Sequence, residues 1–575
     1  MPHSSIILPF SYNVELNVTM PIPIQEELTE KDFTYNASVE VIFMVMESTN
    51  TLELNVSSNY EIEAVTIEGM NISYKFNPGR NDIVITTVKK MIQLKTYLAT
   101  IVYKGKMTNN GKGFYWSSYT DENYKQHYFA ATNFNPHLAH TLVPCFDEPD
   151  ETAVWSLTIK HSALYNTIFN SKPKEETYVG FDKTTTFGWT APTSPHRISI
   201  FISELDKVSD DSEQMVDLQI HGEAPFLKQC KKPLISKTQL LMKKMKERFG
   251  IRYPLFKLDL ILVPNLKRSV SNFGVISLAS NMVENETCPT GLGRLMAEQW
   301  LGNHLVPDNW TQIVMVEAFS HIIGEMIEGK ESWNGFELQE AFLTERNGFT
   351  LTEDPGMETV AVLRSNERKF KKGILIFDMI RRVFGDAAFY DAVLNYVSLE
   401  GRYPITWIRF AYYLDLVRPA NVTFDVTNFL RPYFTQPGIP LLHVDVDGDF
   451  FLVKVKYVAS TEGPILKKTP VKMMVPFTVI SDPKTGKTVR KMAKVGDVIR
   501  FRKDQPVPFF NPNGREYYLV HYAEDLYKLV GTEVNKYPQL ATKHFLRALR
   551  VSILFSHKME YGNHAYTTTE PPVTA

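Results

Sequence analysis

The sequence predicts a multidomain α+β protein, and three observations predict it. The chain has 575 residues, of which 44% are hydrophobic and 12% aromatic, enough for several separate cores. Residues 1–203 alternate apolar and polar positions in short runs, the period of half-buried strands. From 204 the period lengthens to that of helices until 436, and alternation returns over 437–523.

The elements follow in order. In the first stretch, Ser38–Met46 and Asp82–Val88 are strands, separated by turns at Asn77-Pro78-Gly79 and Asn109-Asn110-Gly111. In the second, Pro233–Phe249 has helical spacing and Phe256–Val263 is an apolar strand. Helices follow over Leu292–Trp300, Thr311–Glu328 and Lys372–Phe384, the last closed by Gly385 as its C-cap. In the third, His443–Asp447 and Phe450–Val455 form a hairpin about Gly448-Asp449. Residues 524–575 hold one more helical segment, Tyr527–Phe555, and a Thr- and Pro-rich tail.

Bulk properties exclude several functions. The formal charge of -2 creates no field favouring nucleic acid. The basic clusters at 243–248 and 368–372 have helical spacing and read as solvated faces, without a recognition motif. Three cysteines, Cys145, Cys230 and Cys288, are too few for a disulfide framework and lack metal spacing. Cys145 reads as a packed thiol, and a Cys230–Cys288 bridge stays open. No apolar run reaches the ~20 residues that span a bilayer. The first residues lack the basic and apolar regions of a signal peptide. Membrane association is therefore expected only through a segment absent from this chain.

The central stretch is Gly293-Arg294-Leu295-Met296-Ala297-Glu298-Gln299-Trp300-Leu301-Gly302-Asn303, followed by Glu317. A zinc-peptidase helix places two His at i and i+4, with a Glu between them as general base. Here those positions hold Arg294, Glu298 and Leu295, while Glu317 keeps the spacing of a third ligand. Further markers are Gly113-Phe114-Tyr115, Tyr128–Phe134, Pro144-Cys145-Phe146-Asp147-Glu148-Pro149, Tyr253–Asp259 and Lys372-Gly373. In this order they resemble the gluzincin family of aminopeptidase N, a family of zinc aminopeptidases.

The resemblance implies an N-terminal β saddle over 1–203, a thermolysin-like domain over 204–436 and a small β-sandwich over 437–523. Residues 524–575 would then be the remnant of a larger C-terminal helical domain. It also assigns family positions in the site. The amine-binding Glu becomes Ser271, beside Asn272 and the basic pair Lys267 and Arg268. A second amine contact becomes Asn133. The oxyanion-binding Tyr becomes Phe370. With Arg294 and Leu295 at the zinc helix, no catalytic residue and no cofactor is expected. Arg294, Glu298 and Glu317 are expected to form an ion network where the metal would lie.

The resulting expectation is a non-catalytic homologue, not an enzyme, which acts by binding, adhesion or regulation at the cell surface or outside the cell. Its partner would be an unknown protein or peptide. The alternative is an active metallo-aminopeptidase with a rearranged zinc site, for which Glu298, Glu317 and His321 are the candidate ligands. A third reading is a truncated product that does not fold stably. Cytoplasmic location is the runner-up. Seven Asn-x-Ser/Thr sequons, Asn17, Asn36, Asn55, Asn71, Asn285, Asn309 and Asn421, point to a glycoprotein.

Overall fold

A computed structural model describes residues 6–22, 28–210, 216–250, 252–266, 268–279, 291–329, 351, 366–399, 405–436, 438–458, 472–482, 485–504, 507–512, 514–526 and 529. Lys267, Asn285, Cys288, the tail and, apart from Leu529, the helix expected at 527–555 lie outside them. The described chain is mixed α+β. It divides into two compact units, Met1–Trp310 with Glu400–Ile405, and Thr311–Leu399 with Thr406–Ala575.

The first unit begins as β-structure because its side chains alternate. Along Ile7–Thr19, Tyr12, Val14, Leu16 and Val18 point inward and are buried, with more exposed residues between them. This strand pairs antiparallel with Thr34–Val45 and parallel with Val154–Ser162 inside a seven-stranded sheet. Register sets Tyr12 opposite Trp155, and their rings stack 3.9 Å apart. A three-stranded sheet, Thr49–Asn55, Asp82–Met91 and Ile72–Asn77, adds to the core. A four-stranded sheet joins Gly113–Thr120, Gln126–Asn133, Ile200–Ser203 and Asn166–Phe169.

The same unit then changes to parallel pairing. Asp217–Gly222 is followed by helix Ala224–Phe249 and then by Lys257–Val263, which lies parallel to it. A parallel pair needs such a crossover. Lys257–Val263 is buried at every residue, as a central strand flanked by parallel neighbours should be. The helix begins nine residues before the expected Pro233. Pro225 in its first turn is the real start signal, and Pro233 lies inside the helix. Gly250, at φ 65°, takes the left-handed cap that ends it.

The second unit packs helices Ile313–Glu328, Asn366–Phe384, Asp386–Leu399, Trp407–Leu416 and Val426–Thr435 about Phe319. Its ring stacks on Phe377 at 4.7 Å and meets Phe389 and Phe410. Gly373 lets two of these helices approach closely, since a Cβ there would lie 2.6 Å from that of Ala318. Strands Ile439–Asp447 and Phe450–Val458 form the expected hairpin, with Gly448 at φ 52°. They belong to a four-stranded sheet with Val498–Arg502 and Leu519–Tyr522.

Candidate functional site

The helix at the centre of the sequence is short, Leu292–Ala297, and the chain turns from Glu298 onward. Arg294 donates to the Glu298 carboxylate one turn away. Glu298 is 3% exposed, and the Arg197 guanidinium stands 4.0 Å from its second oxygen. Two guanidinium groups therefore surround the one carboxylate at this position. They already supply the positive charge a metal would bring, and neither can lose its proton. These residues do not fit zinc.

The neighbouring family positions are structurally committed. The Ser271 hydroxyl donates to Leu295 O at 2.8 Å and accepts from Gln299 Nε2 at 2.7 Å. Gln299 also donates to Asn272 O and accepts from Gly274 N and the Tyr253 hydroxyl. Asn272 is buried. Asn133 Nδ2 donates to Gly111 O at 2.9 Å. Arg268 is exposed. Glu317, His321 and Phe370 belong to the second unit. There Glu317 is buried, His321 Nε2 lies 3.8 Å from Glu325 Oε1, and the Phe370 ring meets His321 edge-on at 5.8 Å.

A different loop gathers metal-ligating groups. Strand Gln126–Asn133 runs out into the segment 134–147, where His137 takes a left-handed φ of 52°. A non-glycine residue in that region is uncommon and costly, and such residues cluster at functional sites. The following turn, Ala139–Thr141, aims His140 back at Asp147. His140 Nδ1 lies 2.7 Å from Asp147 Oδ2, and His140 N donates to the same oxygen at 3.1 Å. Asn55 Oδ1 accepts from Asp147 N. One donor atom from each of His137, His140 and Asp147 falls within 4.8 Å of the others. Among the described residues this is the one group of three or more such side chains so gathered.

The electrostatics suit a cation. Burial works to raise the Asp147 pKa, but the His140 hydrogen bond and the charges of both histidines hold it below the usual carboxylate range. Burial lowers the His137 pKa and favours the neutral ring. Asp147 Oδ1 is buried with no hydrogen-bond partner among the described residues. Zinc takes neutral imidazole and ionised carboxylate as ligands. The loop residues fit it.

Other acids follow Asp147 in the chain. Burial, then neighbouring carboxylates, pushes Glu148 and Glu151 up to about 8. Burial and Asp308 push Asp150 up to about 6.

Residues 8–195 match the Peptidase M1 N-terminal domain, and relatives align along most of the chain. Over these residues the chain is similar to the M1 zinc aminopeptidases. It is 23% identical to endoplasmic reticulum aminopeptidase 2 of Bos taurus, over 90% of this chain and 59% of that protein. Endoplasmic reticulum aminopeptidase 1 of Rattus norvegicus is 23% identical over 78% of this chain and 53% of its own length. Aminopeptidase N of Haemonchus contortus is 22% identical over 76% and 49%. The chain thus spans about half the length of these M1 relatives.

Two expectations are corrected by these findings. The expectation of no enzyme activity is not supported, because the M1 relatives are named aminopeptidases and the chain holds a His-His-Asp cluster. The expectation of no cofactor falls for the same reason, since family and cluster both point to zinc. The candidate cluster lies apart from the helix in sequence. Sequence reasoning sought ligands at the helix, and took Pro144–Pro149 only as a family marker. The usable signal was His-x-x-His at 137 and 140, seven residues before Asp147.

Proposed function

We propose that the chain is a metallo-aminopeptidase that removes N-terminal residues from peptides through a rearranged zinc site. The ligands are His137, His140 and Asp147, in place of the helix position at Arg294 and Glu298. The observation that carries this reading is the cluster itself, with its donor atoms within 4.8 Å. Similarity to relatives named aminopeptidases supports the reaction class.

Bound zinc would supply a Lewis acid and lower the pKa of water. The chain's own residues supply the rest. Asp147 stays ionised through His140 and offers the unpartnered Oδ1. Glu148 and Glu151 follow Asp147 in the same loop and are the candidate proton carriers. The substrate amine is not bound through Ser271, whose hydroxyl is engaged on both sides.

We further propose a location in the secretory pathway or outside the cell, and domain boundaries near 203, 436 and 523. Two relatives carry the endoplasmic reticulum in their names. The sequon residues Asn17, Asn36, Asn71 and Asn421 are exposed. Asn55 is half-buried, and its Oδ1 accepts from Asp147 N. Among the described residues no helix is long and apolar enough to cross a membrane.

The test is zinc stoichiometry on the purified chain, joined to hydrolysis of aminoacyl substrates, for the wild type and His140→Ala. One zinc per chain with hydrolysis, both lost in the variant, supports the reading. A wild-type chain without zinc, or activity unaffected by His140→Ala, sinks it.

A further inference from the structure

Helix Ala224–Phe249 concentrates charge that nothing above uses. It holds seven lysines and one arginine against one acid, Glu247, in a chain whose formal charge is -2. In sequence these cations form two separate groups, 228–232 and 243–248, and only the second falls within the helix expected from Pro233. Because the helix starts at Ala224, both groups stand on one rod of 26 residues, about 39 Å long.

One side of the rod is closed. Leu227, Cys230, Leu234, Leu241, Met245 and Phe249 are buried. Lys228, Lys232, Lys243 and Lys246 are exposed on the opposite side, within about 60° of one another around the axis. Lys244, half-buried, flanks them. Among the described residues, Lys228, Lys232, Lys244 and Lys246 form no ion pair. Lys243 reaches Glu247 at 3.6 Å with both side chains mostly exposed, a pair worth little. Like charges at i, i+4, as at Lys228 and Lys232, destabilise a helix. The arrangement costs stability unless an anion covers it.

The class of anion follows from the face. Cations strung over about 27 Å, from Lys228 to Lys246, match a linear polyanion. The apolar side of the helix is already buried, and Leu240 is its one exposed large apolar side chain, so it has little to insert in a bilayer. Lysine is a point charge without the planar fork that arginine offers to base edges. Neither aromatic residue of the helix, Phe226 or Phe249, is exposed for a base to stack on. We infer that the outer face of Ala224–Phe249 binds a sulfated polysaccharide, with Lys228, Lys232, Lys243, Lys244 and Lys246 pairing its sulfates.

The experiment is calorimetric titration of the full chain with heparin over a range of NaCl concentrations. Desulfated heparin, duplex DNA and phosphatidylserine vesicles are titrated in parallel. One variant carries Lys228→Gln, Lys232→Gln, Lys244→Gln and Lys246→Gln. A second, with the same net charge, carries Lys89→Gln, Lys90→Gln, Lys112→Gln and Lys174→Gln, all at exposed positions. Wild-type binding should require sulfation and weaken as salt rises. The helix variant should bind at least ~10-fold more weakly, and its slope of log K against log salt should fall by roughly 2 to 4, near one for each paired cation removed. The second variant should keep the wild-type affinity. Equal losses in the two variants would assign binding to overall charge and overturn the helix face. A chain that does not bind heparin, or binds the desulfated polymer equally well, overturns the inference outright. Tighter binding to DNA or to vesicles than to heparin at the same salt overturns the polysaccharide as the occupant.

Discussion

His140 Nδ1 and Asp147 Oδ2 lie 2.7 Å apart, both residues almost wholly buried, in a loop that the sequence marks only through Pro144–Pro149. The pair holds a carboxylate ionised where burial alone would protonate it. His140→Ala should therefore leave an uncompensated buried acid and destabilise the protein by about 3 to 5 kcal/mol. Urea unfolding of the zinc-free chain checks this. A loss below ~1 kcal/mol would show that the pair is not holding Asp147.

Arg294 and Glu298 offer the complementary experiment. Arg294→Met removes one guanidinium from a carboxylate that is 3% exposed. Arg197, 4.0 Å away, remains. A loss of about 1 to 3 kcal/mol is expected, less than for an acid with no second cation. Adding Glu298→Leu should recover little of it, because the buried Arg197 then loses the carboxylate it faces. Zinc content should stay the same in both variants. A variant that loses zinc would return the metal to the helix.

Acid should weaken the second unit. His443 and His521 face each other across parallel strands, Nδ1 to Nδ1 at 2.7 Å, with rings stacked 4.9 Å apart. Burial, then His443 and Lys456, lowers His521 to about 4, and burial, then Lys456, also lowers His443. Lys454 adds to the lowering of His443, while Asp445 opposes it. Because the folded pKa is depressed, the unfolded chain binds more protons between about 6.5 and 4. Stability from this pair is full above pH 6.5 and falls as pH drops through that window. The urea midpoint of the wild type should decline over it more steeply than that of His443→Gln/His521→Gln. Parallel declines would refute the assignment to this pair.

Much of the architecture is legible because strand and helix periods are physical. Alternation over Ser38–Met46 lies within strand Thr34–Val45 nearly to its end, and Gly448-Asp449 turns the hairpin it suggests. Helix ends were harder. Leu292–Trp300 keeps helical spacing, yet the helix stops at Ala297, where Gly302 N and Leu305 N find partners at Leu305 O and Trp300 O instead. The His-His-Asp cluster was the least legible part. Its geometry depends on the backbone at His137 and on Asn55, a residue 92 positions before Asp147 that holds its N–H. No local period encodes either.

Ser271 tests how far the family's amine site has been rebuilt. Its hydroxyl bridges Leu295 O and Gln299 Nε2, and the residue is 1% exposed. Ser271→Ala should cost about 1 kcal/mol, since Leu295 O loses its donor while Gln299 Nε2 keeps Asn272 O. Ser271→Glu would restore the family's acid, but it forces a larger charged group into a filled space. Overpacking of this kind costs about 1 to 3 kcal/mol, before the desolvation of the carboxylate is added. Arg197 Nη1, 2.9 Å from Ser271 O, is the nearby cation available to it. The expected result is a strongly destabilised variant with no gain in hydrolysis of aminoacyl substrates. If Ser271→Glu instead folds like the wild type and lowers KM for peptides with a free amine, the cleft has kept room for the original contact. The rearrangement would then be confined to the metal.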